Sequence, residues 1–253
     1  MKVLERVLAL ETAGPVASVA LAEGGRVLGR HFMEEPRTHA SGMIPAIERG
    51  LRAASTTRGE LTSIAVGAGP GSFTGVRVAA ATAKGIAHAL DLPLFAVSSL
   101  LGAALTEQVA ADTYATVAEP TDTALTQTAP AIGLRVVLFD ARGDRLYRAA
   151  YRLGAELPEV VAGPAFATLD EVLSDLRFRG AAFCGDGAVR HARRLAESGG
   201  SILAPPTGFP SADGLIRALA LDPDPTPVED SRRWEPSYLR DTGAMRARRG
   251  EAG

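Results

Sequence analysis

The chain has 253 residues, 46% hydrophobic and 22% charged, and a formal net charge of −2. That length holds one large domain or two, and the composition excludes disorder throughout. The near-neutral charge excludes a protein that grips nucleic acid unaided through a basic surface, and the single cysteine, Cys184, excludes an internal disulfide or a cysteine zinc cluster.

Residues 7–11, VLALE, read as a buried strand. VASVALAEGGRVLGRHF gives two strands joined at Gly24-Gly25, a hairpin signal. THASGMIPAIERGLRAAS is a helix, because Met43, Ile47, Leu51 and Ala54 share one face. Thr38 or Ser41 can cap it, and Pro45 fits its first turn or a kink. LTSIAVGAG is a strand, Val76 to Leu90 a helix, and LPLFAVSSL a strand leading into LLGAALTEQVA. Antiparallel strands followed by alternation predict a mixed sheet covered by helices.

Residues 111–131 have no period and read as a surface loop or insertion. In the unit that follows, GLRVVLFDARGDRLYRAAYRL is strand, turn, strand, and TLDEVLSDLR is a short helix capped by Thr168. GAAFCGDGAV is a strand and glycine turn, while VRHARRLAE and SADGLIRALAL are helices. Both units open on antiparallel strands, which invites the idea of duplication. The expected division is a first domain over 1–104, a second over 105–222, and a proline-rich linker with a basic tail over 223–253. No segment approaches the roughly 18 uninterrupted apolar residues of a membrane span, and the opening stretch carries an acid among its first apolar residues. A reducing, cytoplasmic setting without a membrane is expected.

GAGPGSFTGVRVAAATAKGIAHALDLP, residues 67–93, looks like a nucleotide loop and fails each template. No Lys-Ser/Thr pair follows Gly69 or Gly71, as a P-loop requires. The dinucleotide pattern meets Ser72 or Thr74 where its last glycine belongs, and Pro70 stands where a nucleophile elbow needs glycine. Pro70 also removes a backbone donor. The expected role is a strand-to-helix turn, with Ser72 or Thr74 capping the next helix.

His31, His39, His88 and His191 have no metal spacing. Glu11, at the end of the first strand, can position a magnesium ion across a cleft or accept bonds from the next turn. Asp140 and Asp186 fall in Asp/Gly turns, and Arg246, Arg248 and Arg249 form a small basic tail. Small residues recur on both early helices: Gly42, Ala46 and Gly50 on the first, and Val76, Ala79, Ala80, Ala83 and Ala87 on the second. Such rows let helices approach closely, either on their own sheet or on a partner. If a partner lies there, Ala83→Arg is expected to block it and leave the chain folded.

LALETAGPVASVAL, the 67–99 block, FDARGDRLYRAAY, CGDGA and PSYLR resemble, in order and spacing, the bacterial TsaB (YeaZ-like) family of tRNA threonylcarbamoyladenosine biosynthesis proteins. The resemblance runs from about residue 5 to 240. It implies an α/β actin-like fold of the hexokinase and heat-shock-protein ATPase kind, with two related domains of mixed sheets flanked by helices. It also implies a non-catalytic partner of the paralogous transferase TsaD, together with a TsaE-type ATPase, and with tRNA reached through the complex. The two early helices then pack as a four-helix bundle with the partner or with a second copy as a homodimer. Ser99 and Ala103 stand where the catalytic paralogue carries two metal-binding histidines, so neither a catalytic residue nor a metal ligand is expected. Glu11 replaces an aspartate of the first phosphate motif, leaving Glu11, Ser72 and Thr74 as the cleft residues. ATP and magnesium are expected only within the complex. The alternative is a stand-alone ATP-dependent phosphotransferase or ATPase of the same fold.

Overall fold

The computed structural model describes residues 4–33, 39–106, 125–126 and 132–239; the side chains of 39–41 and 125–126 lie outside that description. The insertion is therefore described only at 125–126, and Thr38 and the arginine tail fall outside it.

Strands β1 (Arg6–Glu11), β2 (Ala17–Glu23) and β3 (Arg26–Met33) form an antiparallel meander. Gly24 and Gly25 turn the hairpin with φ of 56° and 82°, the left-handed values a two-residue primed turn requires. Helix α1 (His39–Ala53) then leads to β4 (Ser63–Gly67), and α2 (Phe73–Leu90) to β5 (Leu94–Val97). Pro45 lies inside α1. Both β4 and β5 run parallel, giving the order β3-β2-β1-β4-β5.

After α3 (Ser99–Leu105) and a two-residue strand β6 (Leu125–Thr126), the pattern returns. Strands β7 (Gly133–Asp140), β8 (Arg145–Leu153) and β9 (Glu159–Thr168) are antiparallel, and β10 (Ala182–Cys184) and β11 (Ser201–Leu203) run parallel to β7. Read from β9, the order is β9-β8-β7-β10-β11, the first sheet's order over again, with β6 added beyond β11. The duplication suggested by the sequence is thus a structural one. It joins two mixed sheets flanked by helices in the α/β arrangement implied for the actin-like fold. The stretch expected as a loop contributes a strand, β6, too short to show any alternation.

Helix α4 (Leu169–Ser174) starts on a capping box in which Thr168 and Glu171 satisfy each other's backbone donors. Helices α5 (Asp186–Arg190) and α6 (Ala192–Glu197) replace the single helix expected there, because His191 leaves helical geometry at φ −109°, ψ 19°. The last helix among the described residues is α7 (Ala212–Leu221), capped by Ser211.

The layers interlock. Helices α1 and α2 bury Met43, Ala46, Ile47, Ala79, Ala83 and Ala87 against Leu8, Leu10, Val19 and Ile64 of the first sheet. On the far side of that sheet, Ala9, Ala20 and Ala65 share a core with Leu100, Ala103, Leu215 and Ile216, and with Val137, Ala149 and Tyr151 of the second sheet. Helices α3 and α7 are the middle layer of this sandwich. Helix α3, from the first unit, contacts β7 and β8, while α7, from the second, packs on β1, β2 and β4.

Candidate functional site

The glycine-rich turn begins where β4 ends. Three of its amides are committed: Ala68 donates to Val97 O at 2.7 Å, Gly69 to Ser99 Oγ at 3.1 Å, and Ser72 to Ala13 O at 2.8 Å. Ser72 Oγ in turn accepts from Gly75 N at 3.3 Å and caps α2. A side chain on Gly71 would overlap Ala13, and one on Gly75 would overlap the carbonyl of Thr12. These glycines let the turn press on the β1–β2 connection.

Of the two roles expected for Glu11, the structure shows the acceptor of the next turn's bonds and not the cleft acid. Glu11 does not line an open cleft, because its residue is 0% exposed. Its carboxyl folds over Gly67, where any Cβ would collide with it. Oε1 accepts from the amides of Thr12 and Ala13, each at 2.7 Å. Oε2 is buried without a hydrogen bond of good geometry. Burial raises its pKa, and the opposing pull of the Ala13 amide, the Ser99 hydroxyl and the Thr12 amide is the smaller effect. Of the three predicted cleft residues, Glu11 and Ser72 meet around Ala13, while Thr74 is exposed on the first turn of α2.

Ser99 is buried, its Oγ accepting from Gly69 N, and Ala103 lies in the shared core. Among the described residues, no group of three or more histidine, cysteine or acidic side chains can hold a metal ion. Sequence patterning does not mark Phe209, which is 1% exposed and packs with Val16, Phe32 and Val189 at the junction of the two units. Beside it, Pro210 fills the space a side chain on Gly14 would need.

On the helix pair, the side chains expected to face a partner face inward instead. Ala46, Ala79 and Ala83 are 0% exposed, Ala87 is 2% and Ala80 is 4%. Gly50 and Val76 are also buried, the first with Val19 3.2 Å from where its Cβ would stand, and Gly42 is half-buried. Alanine-to-arginine at 83 would therefore strike the core, which overturns the expectation that it leaves the chain folded. The outer face of α2 instead exposes Arg77, Ala81, Gly85 and Ala89, and α1 exposes Ile44 at 54%. Gly85 sits inside the helix with nothing within 4 Å of a built Cβ. A glycine there costs about 1 kcal/mol relative to alanine, with no return from packing inside the chain.

Residues 222–239 strap across this unit. Val228 donates to Leu94 O on the edge strand β5 at 2.7 Å, and Ser237 donates to Ala68 O at 2.8 Å. Lys84 Nζ donates to the carbonyls of Arg232 and Trp234, both at 2.9 Å. Tyr238 lies 5.5 Å from the Phe73 ring, with the Arg77 guanidinium 4.7 Å from that ring's centre.

The family model described as "TsaD: tRNA N6-adenosine threonylcarbamoyltransferase" matches residues 33–210. The chain is 40% identical over 96 residues to the tRNA threonylcarbamoyladenosine biosynthesis protein TsaB of Escherichia coli, a match that covers 38% of this chain and 41% of that protein's length. An uncharacterized protein of Mycobacterium tuberculosis is 29% identical over 239 residues, covering 94% of this chain and 92% of that one. The solved structure "YeaZ from Pseudomonas aeruginosa" superposes with a TM-score of 0.70 at 26% identity, over 93% of this chain and 100% of that one. With its family match, its relatives and this shared fold in agreement, the chain belongs to the TsaD family, in the TsaB (YeaZ-like) branch.

Proposed function

We propose that this chain is the non-catalytic scaffold subunit of the machinery that makes threonylcarbamoyladenosine in tRNA, next to the anticodon, and that it binds and activates a TsaD-type transferase. The observation that carries this reading is the outer face of α2. Gly85 is unexplained by anything inside the chain and lies between exposed Ala81 and Ala89, while α1 exposes Ile44. A face without side-chain bulk accepts another helix at close range. The partner is a second helix pair of the same kind, from the transferase or from another copy of this chain. A TsaE-type ATPase and the tRNA join through that complex, in the cytoplasm. The committed amides of the glycine turn and the packed Phe209 support the view that ATP and magnesium act only there.

The test is co-purification with the TsaD of the same organism. Gly85→Leu, on an exposed helical position, is expected to abolish capture while leaving the melting temperature at or above that of the natural chain. Capture of Gly85→Leu at natural strength removes this face from the interface. ATP turnover by the purified chain alone would replace the proposal with the stand-alone ATPase reading.

A further inference from the structure

The second unit carries a groove that a scaffold role leaves unused. It has a volume of about 400 Å3 and runs between β9 and α4, lined by Arg148, Phe166, Glu171 and Asp175 with Ala165 and Ala167. Arg148 rises from β8, donates through Nη1 to Gly163 O at 2.9 Å, and lies 5.7 Å from the centre of the Phe178 ring. Arg177 lies 5.7 Å from the same ring. Burial lowers the Arg148 pKa and the charge of Arg177 lowers it further, against a weaker upward pull from Asp175 and Glu171. Among the described residues, no ion pair joins Arg148.

The two carboxylates in the groove are held by other duties. Asp175 grips Arg177 with both oxygens, at 2.9 and 2.6 Å. Glu171 uses Oε2 for the α4 cap, accepting from Thr168 N at 2.6 Å and Thr168 Oγ1 at 3.0 Å, and its Oε1 takes part in neither bond. These bonds keep both groups ionised: the Thr168 amide lowers the Glu171 pKa most, and the Arg177 hydrogen bond that of Asp175. The groove thus sets a guanidinium with spare donors beside carboxylates with spare lone pairs, over alanine methyl groups.

We infer that this groove binds a small zwitterion, a free α-amino acid, with its carboxylate on Arg148 and its ammonium group toward Glu171. A bare anion meets repulsion from Glu171 and Asp175, and a bare cation meets it from Arg148 and Arg177, so only a ligand carrying both charges is matched throughout. Ala165 and Ala167, paired on the same face as Arg148, leave room for a short side chain.

The experiment titrates the full chain with glycine, L-alanine and L-serine, and in parallel with acetate and methylamine, following backbone amide shifts. The amino acids are expected to saturate shifts at 148, 165–167 and 171–175, with acetate and methylamine at least about tenfold weaker. Arg148→Gln is expected to remove the amino-acid response, and Arg148→Lys, which keeps the charge without the fork, to weaken it. Acetate binding as tightly as glycine, no saturable amino-acid response, or an unchanged response in a folded Arg148→Gln would each overturn the assignment. The ligand series on the natural chain decides even if a variant folds poorly.

Discussion

The carbonyl of Gly102 on α3 rests against the Cα of Gly214 on α7, so closely that a side chain on Gly214 would overlap it. A Cβ on Gly102 would itself stand 2.8 Å from Leu215 Cδ2. One turn away, Thr106 Oγ1 and Ser211 Oγ share a hydrogen bond of 2.9 Å. This crossing brings each unit's last helix into contact with the other unit's sheet, and so fixes how the two repeats face each other.

Gly214→Ala is therefore expected to cost about 1–3 kcal/mol, the usual penalty for overpacking. At this chain length that corresponds to roughly 2–4 °C in Tm per kcal/mol. Chemical denaturation against the natural chain checks it. An unchanged midpoint would show that α3 and α7 can separate without loss, and that the crossing does not hold the units.

Glu11 makes stability depend on pH. Its folded pKa is raised, chiefly by burial, above an ordinary value of 4.5. The neutral carboxyl is thus the form the fold favours, and the stability this contributes is fully present below the ordinary value and lost as pH rises through the raised one. Asp186, pushed up to about 6 by burial, and Asp213, raised for the same reason, act with the same sign. The informative quantity is therefore the difference between the natural chain and Glu11→Gln. The variant's denaturation midpoint is expected to fall less between acid and neutral pH, and parallel profiles would contradict the buried neutral form.

Much of the chain is legible because local chemistry and final structure agree. The Gly24-Gly25 turn, the Thr168 cap and the stripe of Met43 and Ile47 are each set within a few residues. Periodicity identified the alanine row on α2 but not the side it faces: alanine is small enough for either, and only the sheet beneath decides. Strand β9 escaped because Gly163 and Pro164 interrupt its alternation, tolerable on an edge strand. The fate of Glu11 depends on Gly67, and that of Gly14 on Pro210, pairings too distant in sequence for any window to capture.

Phe209 carries a prediction about nucleotides. It closes the junction between Gly14 and α5, where the two units' turns converge. Calorimetry of the isolated chain with ATP and magnesium is expected to show no binding heat. Phe209→Ala is expected to destabilise the chain by about 3–5 kcal/mol, as truncations of buried aromatic side chains do. A micromolar heat from the natural chain would mean that Phe209 swings aside and that the junction is still a site.

Lys84 ties the 222–239 strap to α2 through the carbonyls of Arg232 and Trp234, alongside the Phe73–Tyr238 ring contact. Its neighbours Arg232 and Arg233 are exposed, so trypsin can reach their bonds once the strap loosens. Trp234 and Val228 pack against the first core and keep the strap seated without the lysine. Lys84→Met keeps the aliphatic stem and removes the charged donor, at a cost of about 1–2 kcal/mol for two partly exposed bonds. The expected result is faster trypsin cleavage after Arg232 and Arg233, read by mass spectrometry, with only a small fall in the global denaturation midpoint. Equal cleavage rates would assign the hold to Trp234, Val228 and the strap's backbone bonds rather than to Lys84. A collapse of the midpoint would make the strap part of the cooperative core, in keeping with its cover over the β5 edge.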